Sequence, residues 1–258
     1  MPSSSAKEQF DRQATHYNTQ WNTWSEALLQ WLLEHADCQP TDTVLDVATG
    51  TGFTALAFAP LVQSVVGLDV STGMLAEAQK RQQEQGLTNV VWVIGAAEAL
   101  PFPDNSFSVV TCRVAPHHFH SVPQFLAEVA RVLRPGGRFL LADTSVPDNE
   151  PAISEWQNNV EQLRDPSHVR NLPPQEWRAC LEEAGLRVEE IGEPAADVPM
   201  GLNDWLDKAG CHGKNAIAVR GEFRNTSVMA RRLFQIQEVA DGDFTFVWRR
   251  VVAKAVKP

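Results

Sequence analysis

Apolar and polar positions change period several times along the chain, and each change marks an element. Ser25 precedes Leu28, Leu29, Trp31, Leu32 and Leu33, a spacing that predicts a helix with an N-cap and one apolar face. Thr43–Val47 (TVLDV) is a short buried strand that runs into the loop Ala48-Thr49-Gly50-Thr51-Gly52 and then into a small-residue helix at 53–59. Strands are expected at Ser64–Asp69, Val90–Ile94, 107–112, 138–142 and 186–191. Helices are expected from Ser71 to Gly86 and at 123–134, 152–164 and 174–184, with Ser71 as an N-cap and glycines past two of the ends.

Strand and helix alternate with connections too long for hairpins. That pattern predicts an α/β fold with a doubly wound, mostly parallel sheet. Residues 193–242 read as irregular and helical, an insertion capping the open edge of a site, and 244–256 read as one long alternating seventh strand. The chain is expected to be a single domain over 1–258. Within it, 1–36 form a lid: a polar arm carrying Phe10, Tyr17, Trp21 and Trp24, followed by the first helix.

Composition narrows the function. Hydrophobic residues are 43% of 258 and charged residues 21%, which excludes a disordered or collagen-like chain. No apolar run reaches the ~20 residues of a membrane span, and the polar opening lacks a secretory h-region. The net charge of −10 argues against nucleic acid as a partner. Charge is uneven, however. From Lys214 onward nine Lys/Arg face four Asp/Glu, a net of +5, which leaves −15 on the first 213 residues. That is either a basic segment docked on an acidic body or a basic cap that attracts an anionic substrate. Cys38, Cys112, Cys180 and Cys211 have no metal-ligand spacing, so no metal site and a reducing cytoplasm are expected.

A strand that ends in Gly-x-Gly and feeds a helix is a nucleotide cradle, because glycines let the backbone approach a ligand and the helix start offers unpaired N–H groups. Gly50 and Gly52 supply it, and dinucleotide enzymes show the same loop. Asp69, ending the next strand, suits a ribose diol. Asp46, inside the first strand, is costly unless paired. A pyrophosphate would repel it, whereas a ligand bearing an ammonium and a sulfonium would not.

Residues 44–52 (VLDVATGTG), Gly67-Leu68-Asp69, 97–102 (AEALPF) with 107–110 (FSVV), and 129–139 (VARVLRPGGRF) together resemble the class I S-adenosylmethionine-dependent methyltransferases. The resemblance is to the branch that includes the ubiquinone and menaquinone biosynthesis C-methyltransferases. It implies seven strands in the order 3-2-1-4-5-7-6 with the last antiparallel, S-adenosylmethionine as cofactor and S-adenosylhomocysteine as product. It further implies that Asp46, Ala48, Thr49, Gly50 and Gly52 hold the methionine part, and that Asp69 takes the ribose. Val70, Met74, Ala97 and Glu98 would line the adenine, Arg113 would sit beside the methionine moiety, and Tyr17 would fold over the cofactor. The family usually reads Gly-Asp-Ala-Glu where this chain has Gly95-Ala96-Ala97-Glu98, so the customary adenine-contacting aspartate is missing.

Pro116-His117-His118-Phe119-His120 follows the fourth strand, where loops of an open α/β sheet face the ligand crevice. His118 or His117 is expected to remove a proton from a small acceptor, a phenol, enol or quinol, during O- or C-methylation. Asp143, Arg164, His168 and Arg170 are candidates for contacting that acceptor, which the basic cap allows to be anionic. Two rivals stay open: a protein that binds S-adenosylmethionine without methylating, and an NAD(P)-dependent oxidoreductase on the same loop.

Overall fold

The computed structural model describes Lys7, Phe10, Asp11, residues 25–194 and residues 198–258. Along the chain α1 (Glu26–His35) precedes β1 (Thr43–Val47), α2 (Phe53–Phe58), β2 (Ser64–Asp69), α3 (Thr72–Glu84) and β3 (Val90–Ile94). Next come β4 (Phe107–Arg113), α4 (Val122–Val132), β5 (Leu133–Thr144), α5 (Pro151–Arg164), α6 (Pro174–Glu183) and β6 (Arg187–Gly192). The last stretch carries β7 (Met200–Gly201), α7 (Leu202–Lys208), α8 (Gly213–Asn225), α9 (Val228–Leu233), β8 (Gln237–Glu238), β9 (Phe244–Phe246) and β10 (Arg250–Val256).

Seven strands form one sheet in the order β3-β2-β1-β4-β5-β10-β6, the order that the resemblance implies. β1 to β5 are mutually parallel, and β10 runs antiparallel between β5 and β6. Helices cover both faces, so neighbouring strand residues are buried on opposite sides. Leu45, Phe139, Leu141 and Val251 pack with Phe125, Val129 and Trp177 on one face. Val44, Leu140 and Val252 pack with Leu28, Leu32 and Phe58 on the other. No helix of the described residues is long and apolar enough to cross a membrane.

A third cluster sits beside the sheet. Trp205, Phe223, Phe234, Phe244, Phe246 and Trp248 form its centre, joined by Ile153 and Val160 of α5. It includes a small antiparallel sheet, β7-β9-β8, so the segment read as helical also carries strands. The single long strand expected over 244–256 is two. Phe244, Phe246 and Trp248 alternate into the third cluster, and the chain then joins the main sheet at Arg250. β9 alternates buried and half-buried positions, whereas β10 is buried on both faces over Arg250–Ala253, and apolar residues run on either side of the join. They do not say which sheet a strand joins.

Candidate active site

In a parallel sheet the loops that leave the strand carboxyl ends meet along one edge. Here they enclose one cavity. Its walls include Ala48, Thr49, Asp69, Val70, Met74, Ala97, Glu98 and Arg113 at one side, and His117, His118, Glu161, Arg164, Trp205, Trp248 and Arg250 at the other.

The first side is built from backbone. Ala48, Gly50 and Gly52 all have positive φ, at 54°, 54° and 82°, so the loop after β1 turns its amides in alternating directions. Gly52 is required on two counts: its φ is left-handed, and a Cβ there would stand 2.7 Å from the Trp92 ring. That ring is held by a hydrogen bond from its Nε1 to Gln82 Oε1 at 2.7 Å. It also closes on Gly67 of β2, where a Cβ would meet it at 2.4 Å.

Asp69 receives Gly50 N at 2.8 Å on Oδ2 and Ser71 N at 2.9 Å on Oδ1. Burial pushes its carboxyl up, and these amides oppose the rise. The carboxylate itself lines the cavity. Ser71 caps α3 by accepting from Met74 N, and its hydroxyl donates to Asp11 at 2.5 Å. Asp11 also accepts from Gly73 N, while its neighbour Phe10 lines the cavity and meets the His118 ring edge-on at 5.0 Å.

Asp46 behaves differently from the expectation. It is 1% exposed and lies behind the cavity wall, with Thr49 Oγ1 at 2.6 Å and Thr111 Oγ1 at 2.7 Å on its two oxygens. Burial raises it to about 6, against the pull of both hydroxyls and of Arg113. Its partner Thr49 does line the cavity. Arg113 donates Nε to Thr54 Oγ1 at 2.9 Å and Nη1 to Ser25 Oγ at 2.6 Å. The Ser25 hydroxyl, expected to cap α1, is engaged there and makes no cap bond. Glu98 accepts from His120 N at 3.0 Å, tying the loop after β3 to the histidine loop. Tyr17, Trp21 and Trp24 lie outside the described residues.

The second side is built from side chains. Pro116–His118 is a single 3-10 turn after β4. Asp143, next to last in β5, is 1% exposed. It accepts His117 N at 3.0 Å and Thr144 N at 2.8 Å, and its Oδ1 stands 2.6 Å from His117 Nδ1. That contact makes Nδ1 the protonated nitrogen and leaves Nε2 as the basic one. Burial disfavours the imidazolium, but the charge and hydrogen bond of Asp143 outweigh it, so His117 titrates above the ordinary histidine value. His118 makes no direct carboxylate contact among the described residues: its Nδ1 meets the carbonyl and the hydroxyl of Ser167, both at 3.1 Å, and that hydroxyl donates to Asp165. Burial, helped by the His117 charge, lowers it to about 4. His118 is therefore neutral at physiological pH and packs between His117 and Phe10.

The expected acceptor segment comes apart. Arg164 lines the cavity. His168 is buried behind the other histidines, its ring 5.7 Å from that of His117 and its Nε2 on Asn158 Oδ1 at 2.9 Å. Burial drives its pKa far down. Arg170 faces solvent and holds Glu176 by two bonds of 2.7 and 2.6 Å. Its backbone and that of Val169 instead bind the His117 carbonyl, which helps fix the turn. Asp143 serves His117 and does not line the cavity. Glu161, Trp205, Trp248 and Arg250 line it without having been anticipated. The available signal was Arg250, the second of an arginine pair, which opens an otherwise mostly apolar run.

The cavity fits an adenosyl-methionine ligand on its own features. Leu68, Val70, Met74 and Ala97 make an apolar slot, the Asp69 carboxylate stands beside it, and Thr49 and Arg113 offer polar groups further along. A sheet of this order, with that loop and that carboxylate, defines a nucleoside-cofactor transferase fold. The methyltransferase-domain family matches residues 45–141. The uncharacterized methyltransferase YcgJ of Bacillus subtilis is 36% identical over 227 residues, 88% of each chain. Its crystal structure superposes with a TM-score of 0.83 at 35% identity, covering 89% of this chain and 97% of that one. The uncharacterized protein YafE of Escherichia coli K12 is 35% identical over 184 residues, 71% of this chain and 86% of its own. The ubiquinone/menaquinone biosynthesis C-methyltransferase UbiE of Dinoroseobacter shibae is 40% identical over 126 residues, 47% of this chain and 48% of its own. The chain belongs to the class I S-adenosylmethionine-dependent methyltransferases, and S-adenosylmethionine is its cofactor. The oxidoreductase alternative does not survive this membership.

Proposed function

We propose that the protein methylates an ionisable hydroxyl, phenolic or enolic, on a small acceptor, with His117 as the base and Asp143 as its positioning residue. The reading rests on one observation: a buried Asp143–His117 pair with a contact of 2.6 Å, whose imidazole lines the same cavity as Asp69. S-adenosylmethionine supplies an electrophilic methyl group, so the protein's work is to align the acceptor, remove its proton and exclude water. The acceptor O–H proton passes to Nε2 of His117 as the oxygen takes the methyl, and the resulting imidazolium is stabilised by Asp143. The same deprotonation activates the carbon of an enol, so the pair serves O- and C-methylation alike. Of the two histidines, His117 is favoured because His118 lacks a carboxylate to orient it and has lost basicity through burial. The Ala48–Gly52 loop, Asp69, Val70, Met74, Ala97, Glu98 and Arg113 are proposed to hold the cofactor, with Asp46 acting through Thr49. The four free cysteines favour a reducing, cytoplasmic setting.

The test is release of S-adenosylhomocysteine with a panel of phenols and enols across pH. Turnover should rise with pH through a midpoint above the ordinary histidine value, because His117 must be neutral to act. Asp143→Asn should move that midpoint down and lower the plateau. A profile unchanged in Asp143→Asn would remove the base assignment while leaving cofactor binding untouched.

A further inference from the structure

His117 and His118 stand side by side on the cavity wall, with ring centres 4.2 Å apart and ring planes inclined by 46°. Their surroundings fix which nitrogen of each ring holds the proton. On His117, Nδ1 lies 2.6 Å from Asp143 Oδ1, so that nitrogen carries the hydrogen. On His118, Nδ1 lies 3.1 Å from the Ser167 carbonyl, a group that only accepts. The Ser167 hydroxyl, also at 3.1 Å, donates its proton to Asp165 Oδ1 at 2.7 Å and so faces the ring as a second acceptor. Nδ1 is therefore the N–H of His118 as well. In their neutral forms both rings carry an Nε2 that can only accept.

Asp143 and Ser167 lie outside the cavity lining, so the ring edges they hold turn away from the cavity and leave Nε2 on its side. Neither Nε2 has a hydrogen-bond partner among the described residues, and neither is sealed from solvent, unlike the buried and unpartnered Nδ1 of His168. His168 adds no third acceptor, because its Nε2 is engaged by Asn158 and its ring is not on the wall.

Two neighbouring acceptors call for two neighbouring donors. A single hydroxyl has one proton and satisfies one nitrogen. Once the ligand has displaced water, the other nitrogen would be left unpaired, which costs more than a made hydrogen bond gains. Hydroxyls on adjacent carbons reach both rings. A meta pair sets its oxygens further apart than the two ring centres, and a para pair points its hydroxyls to opposite ends of the molecule. Adjacent hydroxyls also bring a chemical need for the second acceptor. In a free catechol one O–H turns toward the other oxygen and occupies a lone pair there. An acceptor at His118 turns that hydrogen outward and frees the lone pair for attack on the methyl group.

Building on the hydroxyl-methylation reading, we infer that the acceptor carries hydroxyls on two adjacent carbons, a catechol or an enediol, with one hydroxyl on Nε2 of His117 and the other on Nε2 of His118. The first gives its proton to His117 as its oxygen takes the methyl. The second keeps its proton in the bond to His118, so the products are a monomethyl ether and S-adenosylhomocysteine.

Titration calorimetry under argon, on the protein saturated with S-adenosylhomocysteine and at a pH above the His117 midpoint, tests this without turnover. The probes are catechol, resorcinol, hydroquinone and phenol. Catechol should bind roughly 5- to 150-fold tighter than hydroquinone or phenol, the cost of leaving one buried acceptor unpaired, and tighter than resorcinol. His118→Phe keeps a ring and removes its acceptor. It should bring catechol down to the level of phenol, with the affinities for phenol and S-adenosylhomocysteine within about twofold of wild type. A role for His118 in packing alone would weaken all four probes together. Equal binding of the three isomers, a preference for resorcinol or hydroquinone, no binding of any probe at millimolar concentration, or a catechol preference that survives His118→Phe would overturn the inference. Should His118→Phe fail to bind S-adenosylhomocysteine, the wild-type ranking and His118→Ala still decide. Failure of the hydroxyl-methylation reading would show separately, as a flat pH profile of turnover beside an intact catechol preference.

Discussion

Asp69 and Asp143 each stand at the end of a parallel strand and each accepts backbone amides, but Asp69 lines the cavity, whereas Asp143 lies behind His117, which lines it. Asp69 takes the amides of Gly50 and Ser71 and lines the cavity. Asp143 takes the amides of His117 and Thr144 and gives its remaining capacity to the His117 ring. The same strand-end carboxylate thus lines the cavity in one place and holds an imidazole that lines it in the other. What separates them is the next loop. After β1 the chain turns on glycines and lays only the Gly50 amide on Asp69, with no side chain between it and the cavity. After β4 it turns through Pro116–His118 and lays a ring over Asp143.

The largest break in that comparison comes at the ring. His117→Gln should lower turnover roughly 10²- to 10⁴-fold, the usual share of a general base, with S-adenosylhomocysteine affinity nearly unchanged. His118→Ala should cost far less, since that ring packs against Phe10 and carries no carboxylate. Steady-state kinetics at saturating acceptor compare the two directly. A larger loss in His118→Ala would exchange their roles.

At the other carboxylate the expected damage is to affinity. Asp69→Ala removes charge-assisted hydrogen bonds worth about 1.5–3 kcal/mol, so S-adenosylmethionine should bind roughly 10- to 150-fold more weakly. Calorimetry on the folded variant reads this, and unchanged affinity would detach Asp69 from the cofactor.

The two sides also differ in how far the amino-acid sequence discloses them. The cofactor side is local: Thr49 to Gly52 and Asp69 to Met74 lie in two short runs, and the turn chemistry that shapes them is written in the residues themselves. The sheet order was equally readable, because alternating elements and a family pattern over 44–139 converge on it. The acceptor side is assembled from α5, β5, β10 and the third cluster, which share no spacing. Arg250 was hidden inside an alternating run that spans two sheets. The choice between His117 and His118 depends on which ring a one-turn 3-10 segment sets over Asp143, and adjacent histidines carry no mark of that.

A third carboxylate sharpens the contrast. Asp46 is held by hydroxyls instead of amides, and burial leaves it at about 6. In the ligand-free protein it is half protonated there. A ligand ammonium favours the ionised form, so affinity for S-adenosylhomocysteine should climb as pH rises through 6 and level off above it. Below 6 it should fall by at most about tenfold per pH unit, one proton's worth. Asp69 is also raised, so Asp46→Asn is needed to isolate the effect, and it should flatten the curve. An identical slope in Asp46→Asn would assign the titration elsewhere.

The smallest effect separates two arginines that the sequence set in one polar segment. Arg164 is 8% exposed and lines the cavity, whereas the Arg170 side chain is 54% exposed and grips Glu176. Exposed ion pairs contribute about 0–1 kcal/mol. Arg170→Gln should therefore change thermal stability slightly and alter kcat/KM less than about threefold, a shift under 1 kcal/mol. The His117 carbonyl is bound by the Arg170 backbone, which the substitution retains. A tenfold fall in kcat/KM would mean that Arg170 leaves Glu176 and reaches the acceptor when it binds.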